Sequence, residues 1–165
     1  MQTIFVLDEK DYEEDMPVFE RFGVRAVIQR DGLFAMQQSS TGEYKIPGGG
    51  IDEGETIAQA LAREVREETG LVIRPETMVE LGEILDVHRD IFDGKSKYVA
   101  HSLHYSCEVE DELVETSMTE SEIAKGFHLA WVDIDTVIET NERLMTEKWQ
   151  LRDTKFLKWY KKNCM

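Results

Sequence analysis

The sequence predicts an α/β protein of the α+β type, a mixed β-sheet held between helices. Three observations point there. Residues 21–29 (RFGVRAVIQ) alternate, with Phe22, Val24, Ala26 and Ile28 on one side and Arg21, Arg25 and Gln29 on the other, the period of a half-buried strand. From about Glu55 to Thr69, Ile57, Ala58, Leu61 and Val65 recur at helical spacing and form an apolar stripe. The C-terminal part has a helical pattern over about 134–140 and again over about 146–162, where Trp149, Phe156, Leu157 and Tyr160 share one side. A strong helix among strands, followed by terminal helices, is the pattern of a sheet that must bury its faces under helices.

The remaining elements follow in order. Residues 3–7 (TIFVL) are a candidate first strand. Asp31-Gly32 reads as a hairpin turn from the 21–29 strand into LFAMQQ, and Ser39 to Lys45 as a polar loop leading to Ile46-Pro47-Gly48-Gly49-Gly50. Asp52, Glu53 and Glu55 stand near the start of the first helix, where the helix dipole favours negative charge. Gly70 closes it as a C-terminal cap. Residues 78–89 and 97–109 are two further strands, the second carrying Val99, Leu103, Tyr105, Cys107 and Val109 on one face. An acidic loop is expected over 110–126 and a strand over 128–132 (HLAWV). The 165 residues contain no repeat, low-complexity tract or linker and are expected to form one domain, 1–165, with a core that needs no disulfide staple.

Composition narrows the function. A formal net charge of -15 repels polyanions at long range, which excludes broad nucleic-acid binding. A small phosphorylated ligand remains compatible if a metal cation bridges the two negative partners. The N-terminus turns acidic after a short apolar run and lacks the pattern of a signal peptide, and no segment has the apolar length of a membrane span. Cys107 and Cys164 are spaced for neither a disulfide framework nor a zinc site. They read as reduced thiols of a cytoplasmic protein.

The chemistry concentrates in residues 49–71. On a helix, residues three and four apart are neighbours, so Glu64, Glu67 and Glu68 project from one face. Three like charges there repel one another, and a divalent cation is one natural compensation. Magnesium takes carboxylate oxygens at about 2.0–2.1 Å and completes its shell with water and substrate phosphates. The other reading is a solvated charged face, with Arg63 and Arg66 offsetting part of the repulsion. The Pro-Gly-Gly-Gly turn just before the helix lets backbone approach a ligand or metal closely.

This segment resembles the Nudix box: Gly, five residues, Glu, seven residues, Arg-Glu, an aliphatic residue, one residue, Glu-Glu, one residue, Gly and an aliphatic residue. Gly49, Glu55, Arg63, Glu64, Val65, Glu67, Glu68, Gly70 and Leu71 fill those positions without departure. The resemblance implies a Nudix-like α/β/α sandwich and a Mg2+-dependent (or Mn2+-dependent) pyrophosphohydrolase that cuts a phosphoanhydride bond in a nucleoside diphosphate derivative. Nucleotide sugars, ADP-ribose and nucleoside triphosphates are such substrates. By the same resemblance Glu64, Glu67 and Glu68 are metal-binding carboxylates, the carbonyl of Gly49 is a backbone ligand, and Glu55 and Arg63 form a structural salt bridge. The base that activates water is a helix glutamate, Glu64 or Glu67, or one from the acidic loop, where Thr119-Glu120-Ser121-Glu122 points to Glu120 or Glu122.

Substrate contacts are less defined. Arg21 and Arg25, on the polar face of their strand, are candidates for phosphate, and Tyr44 for stacking on a base. His101 and His104 are three apart on a strand, so they point to opposite faces and cannot chelate one ion together. Lys155, Lys158, Lys161 and Lys162 read as a solvated helix face. The first strand and the aromatic C-terminal helix are candidate surfaces for a homodimer. Two alternatives accompany the hydrolase reading. A non-catalytic Nudix-fold sensing module is disfavoured by the complete box. An RNA 5′-end pyrophosphohydrolase is disfavoured by the charge and by the lack of a basic stripe.

Overall fold

The computed structural model describes residues 1–144 and 148–165, with backbone only at 148 and 149. Its strands are β1 (Thr3–Asp8), β2 (Val18–Val27), β3 (Gln29–Arg30), β4 (Leu33–Gln38), β5 (Tyr44–Lys45), β6 (Val79–Arg89), β7 (Lys97–Ser106) and β8 (His128–Val132). Its helices are α1 (Ile57–Thr69), α2 (Glu120–Ala124), α3 (Ile134–Leu144) and α4 (Lys148–Cys164), with one 3-10 turn at Pro75–Thr77. The expected onset of the last helix near 146 and the side chain of Trp149 lie outside the described residues.

The strands form two sheets rather than one. A mixed sheet has the order β1-β6-β7-β2, parallel at β1–β6 and β2–β7 and antiparallel at β6–β7. A small antiparallel sheet runs β3-β4-β5, with β8 on the other edge of β4. The expected single strand 21–29 divides between them. Val27 still accepts from the Cys107 amide at 3.1 Å, while Ile28 already accepts from Ala35 at 2.9 Å. The return through Asp31-Gly32 has positive φ at both residues, 52° and 78°, the geometry of a type I′ hairpin turn.

The alternation of β2 and β7 makes two cores. Val24, Ala26, Leu103 and Tyr105 pack under α1 with Leu61 and Val65. Val27 and Ile84, from the other face, pack under α3 and α4 with Val137, Phe156 and Leu157. Helices therefore cover both faces, as in an α/β/α sandwich. Each fully buried Leu, Val or Phe contributes about 1.5–3 kcal/mol of transfer free energy.

Several boundaries differ from expectation for local reasons. Helix α1 starts at Ile57, not Glu55, because Thr56 caps it. The Thr56 hydroxyl accepts from the Gln59 amide at 3.1 Å and the Gln59 side chain accepts from the Thr56 amide at 2.9 Å. No acidic residue lies in its first turn. Gly70 ends it with φ 75°, as expected. The supposed loop Ser39–Lys45 ends in β5, which pairs with Gln37 and Gln38. Strand β7 stops at Ser106 because the chain then turns to residues 72–74, with Arg74 donating to the Glu108 carbonyl and Glu110 to that of Val72. The acidic loop contains α2, capped by a second box between Thr119 and Glu122. Among the described residues no helix is long and apolar enough to cross a membrane.

Candidate active site

The glycine turn is stitched to the edge of β2. Val24 donates to the Gly49 carbonyl and Ala26 to that of Pro47, both at 2.8 Å, and Ile51 donates to Phe22 at 3.1 Å. A Cβ at Gly48 would lie 2.0 Å from the Val24 carbonyl oxygen, and one at Gly49 would lie 2.4 Å from the Glu64 carboxylate. Only glycine lets this backbone slip between β2 and α1 with a carboxylate resting on it.

Arg63 clamps the turn to the helix. Its Nε and Nη2 donate to the two oxygens of Glu55 at 2.6 and 2.8 Å, and Nη2 also donates to the Gly50 carbonyl at 3.0 Å. The paired guanidinium holds the Glu55 carboxyl at about 2, well below the usual range. The Glu55–Arg63 pair is thus a structural bidentate bridge, the geometry in which Arg binds carboxylate best.

The three helix glutamates take different positions. Glu64 accepts from Arg63 Nη1 at 2.7 Å and lies against Gly49. Glu68 is buried, receiving the Lys45 ammonium at 3.0 Å and the Gly48 amide at 2.8 Å. Burial pushes its carboxyl above the ordinary value against the pull of Lys45. Glu67 lies 3.5 Å from Arg63 Nη1 and lines a separate hollow with Glu115 and Ser117 rather than the cleft lined by Glu64 and Glu68. Within the protein, then, Arg63 and Lys45 offset the carboxylate repulsion. Among the described residues no three His, Cys, Asp or Glu side chains converge on one ion position. The donors nearest one another are nonetheless all oxygen, the Glu64 carboxylate resting on the Gly49 peptide with Glu68 one turn on. That donor chemistry fits a hard divalent ion.

These groups open on a cleft of about 480 Å3. Glu64 and Glu68 line one side. Arg21 and Arg25 rise from β2, with Ala100 and Ser102 of β7 beside them. Burial, with the charge of Arg152 beside it, pushes the Arg25 guanidinium down to about 10. Its Nη1 reaches only the Val24 carbonyl at 2.8 Å, and its Nε is buried without a partner. The structure separates the two loop glutamates. Glu122 lines the cleft, one oxygen taken by Thr119 at 2.7 Å and the other buried without a partner. Glu120 is exposed on α2 and does not line the cleft. Tyr44 is only 7% exposed and packs in the second core, its amide held by Asn141 at 2.8 Å. Its ring has no face free for a base. His104 is buried against Phe156, while His101 sits on the opposite face between Glu83 and Glu20, as the strand period requires. Lys158 and Lys161 pair with Glu142 and Asp135.

The sequence reading missed two cations of the cleft, Lys45 and Arg152. Had 44–46 been read as extended, the buried partners Tyr44 and Ile46 would have put Lys45 on the other side. Arg152 and Asp153 stand one turn before Phe156 and Leu157 on the apolar stripe of α4. A charged pair on a buried stripe was the available signal. Asp153 is fully buried, holding Arg152 at 2.7 Å and the Ile46 amide at 3.0 Å.

The family model described as the NUDIX domain matches residues 20–160. The chain is 29% identical over 134 residues to Nudix hydrolase 6 of Arabidopsis thaliana, covering 81% of this chain and 38% of that protein. It is 38% identical over 58 residues to the 8-oxo-dGDP phosphatase NUDT18 of Homo sapiens, covering 33% of this chain and 18% of that one. The chain therefore spans well under half the length of these curated relatives. A NUDIX hydrolase from Nitrosomonas europaea superposes with a TM-score of 0.59 at 20% identity, covering 83% of this chain and 87% of that one, a likeness of fold. With the family model spanning most of its length and the box intact, this chain belongs to the NUDIX domain family.

Proposed function

We propose that the protein is a divalent-metal-dependent hydrolase that cuts the phosphoanhydride bond of a nucleoside diphosphate derivative. The observation that carries this reading is the Glu64 carboxylate seated on Gly49, with Glu68 beside it, at a cleft walled by Arg21, Arg25, Lys45 and Arg152. The family match over residues 20–160 supports treating the chain as one catalytic domain. Glu64, Glu67, Glu68 and the Gly49 carbonyl would hold Mg2+ or Mn2+, Glu67 and Glu68 leaving Arg63 and Lys45 to do so. Such an ion supplies neutralisation of diphosphate charge and a more acidic attacking water.

The protein's own groups do the rest. Arg21 and Arg25 orient the phosphates and stabilise charge that develops on them, in a site where fixed donors outperform water. Glu122, which lines the cleft, accepts the proton of the attacking water. Water oxygen bonds to one phosphorus, the bridging P–O bond breaks, and the bridging oxygen leaves with the second phosphate. The nucleoside end lies toward Tyr98, which lines the cleft and has Phe19 at 5.7 Å and His88 stacked at 5.0 Å. These three rings stand in one cross-strand row, a platform suited to a base.

A panel of nucleotide sugars, dinucleotides and nucleoside triphosphates, assayed with and without Mg2+ or Mn2+, tests this reading. Metal-dependent turnover that collapses in Glu68→Gln is expected. Tight binding of a nucleotide with no product under any condition would replace the hydrolase with a sensing module.

A further inference from the structure

The cleft does not end at Glu68. A recess of about 260 Å3 continues from it, lined by Arg25, Lys45, Glu122, Lys125, Phe127 and Arg152. Arg25, Lys45, Glu122 and Arg152 line both spaces, so the recess and the cleft are continuous. Four cations meet there around one carboxylate, in a chain whose formal net charge is -15. Two of the four are already held, Lys45 by Glu68 and Arg152 by Asp153. The other two are not. Arg25 donates to a backbone carbonyl and has its Nε buried and unpartnered, with Asp153, Glu68 and Glu64 acting on its charge without a direct ion pair. Lys125 has no ion pair among the described residues. A buried N–H without an acceptor, as at the Arg25 Nε, is costly unless an anion or water completes it.

The position of the recess is set by the backbone. The Ser40 amide donates to the Lys125 carbonyl at 2.9 Å, which pins the end of α2 to the β4–β5 hairpin. Phe19, Arg21, Gly23 and Arg25 lie on one face of β2 at two-residue steps of about 6.6 Å. Phe19 pairs with Tyr98 and Gly23 bridges to Gly50. Along that line the aromatic row comes first, the glycine turn with Glu64 second, and Arg25 at the mouth of the recess last. A ligand with a base on the row and a diphosphate at Gly49–Glu64 therefore points its next group at Arg25, Lys125 and Arg152. At about 30 Å3 per water, the recess has room for a phosphoryl group and its hydration.

We infer that this recess is a second anion subsite, built for a phosphoryl group beyond the bond that is cut, so that the substrate class is a nucleoside triphosphate or longer polyphosphate rather than a nucleotide sugar. The inference rests on the cleft being the hydrolytic site. It assigns a role in specificity to Lys125 and Arg152, with Arg25 shared between subsites.

The test uses the full chain with Mg2+ and two substrates, dGTP and ADP-ribose, the second presenting a neutral ribose where the first presents its terminal phosphate. Lys125 is exposed, so Lys125→Gln leaves the fold intact. Losing one charge-assisted contact raises KM for dGTP by about tenfold, with kcat and the ADP-ribose kinetics within about twofold. Arg152→Gln is expected to act in the same direction, and circular dichroism reports whether it still folds. Equal effects of Lys125→Gln on both substrates, or none on either, overturn the subsite, as does a parent enzyme that favours ADP-ribose. Calorimetric titration of the metal-free protein with tripolyphosphate separates this from the hydrolase reading. Binding weakened about tenfold in Lys125→Gln supports the subsite even if no substrate is cleaved. Equal affinity in parent and variant overturns it even if hydrolysis is fast.

Discussion

The two walls of the cleft are built in different ways. On one wall, residues 47–68 hold one another through contacts close in the chain, Arg63 to Glu55 eight residues away and Gly48 to Glu68 twenty away. The opposite wall joins distant segments. Ile46 is held by Asp153, 107 residues on, and Tyr44 by Asn141, 97 residues on. The first wall is a short-range device with its own clamp and its own capped helix. The second exists only once α4 has docked on the sheet. On the proposed function the local wall would hold the ion and the assembled one would grip the substrate, with Glu122 of α2 supplying the base from outside both.

The largest expected effect lies on the local wall. Glu64→Gln should lower hydrolysis by at least about 10²-fold, the scale for removing a group that acts on transition-state charge, with unchanged circular dichroism. A rate within twofold of the parent would show that this wall does not carry the chemistry. Next comes the assembled wall, through stability. Asp153→Ala strands the half-buried Arg152 and the buried Ile46 amide, and breaking a buried pair from one side costs about 3–5 kcal/mol. For a chain of this size that lowers Tm by about 10 °C, measurable by calorimetry. Thr56→Ala removes the cap of α1 and should cost about 1 kcal/mol, a smaller effect because the local wall has the Arg63 clamp as well.

The smallest effects are titrations. The Glu55 carboxyl is held at about 2, below its value in the unfolded chain, so its clamp stabilises fully above the ordinary carboxylate range. That stability fades as pH falls through that range toward 2, and acid titration of Arg63→Ala should lack this part. The two histidines of β7 respond oppositely. Burial, with the charges of Arg152 and Arg25 adding to it, pushes His104 well below its ordinary value, so its contribution is lost as pH falls through the unfolded value near 6.5. Burial lowers His101 too, but Glu83 and Glu20 outweigh it and the net shift is upward. Its contribution is present below the unfolded value and lost as pH rises through the raised one. A proton NMR titration should find His101 charged and His104 neutral near pH 6.5. The reverse order would mean the two faces of the sheet had been exchanged.

The same contrast explains what was legible in the sequence. The capping glycine Gly70 and the carboxylate-bearing face of α1 follow from spacing alone, because the groups are neighbours along one helix, whereas the Glu55–Arg63 clamp was legible through the resemblance to the Nudix box. Periodicity likewise put Val24 and Ala26 on one face of their strand and Leu103 and Tyr105 on one face of theirs, and the fold joins the two faces in one core. It did not show that the 21–29 strand divides at Ile28 between two sheets, since a register change depends on which strand pairs with it. Tyr44 was expected at the ligand because it precedes the glycine turn, yet β5 turns its ring into the core and Lys45 toward the site. Arg152 was detectable as a charge on a buried stripe, but it could not be placed in the cleft for a related reason. Its place is set by where α4 docks, which no local spacing encodes. Glu122 could be told from Glu120 only after α2 formed and turned one carboxylate inward.

The central claim is that Glu64, resting on Gly49 with Glu68 beside it, holds one divalent ion against a diphosphate. Mn2+ binding followed by electron paramagnetic resonance, with a non-hydrolysable nucleotide present, tests it most directly. The expected result is a bound ion in the parent whose signal is lost or weakened in Glu64→Gln and Glu68→Gln. An identical bound-ion signal in parent and both variants, or none in the parent at saturating nucleotide, would contradict it.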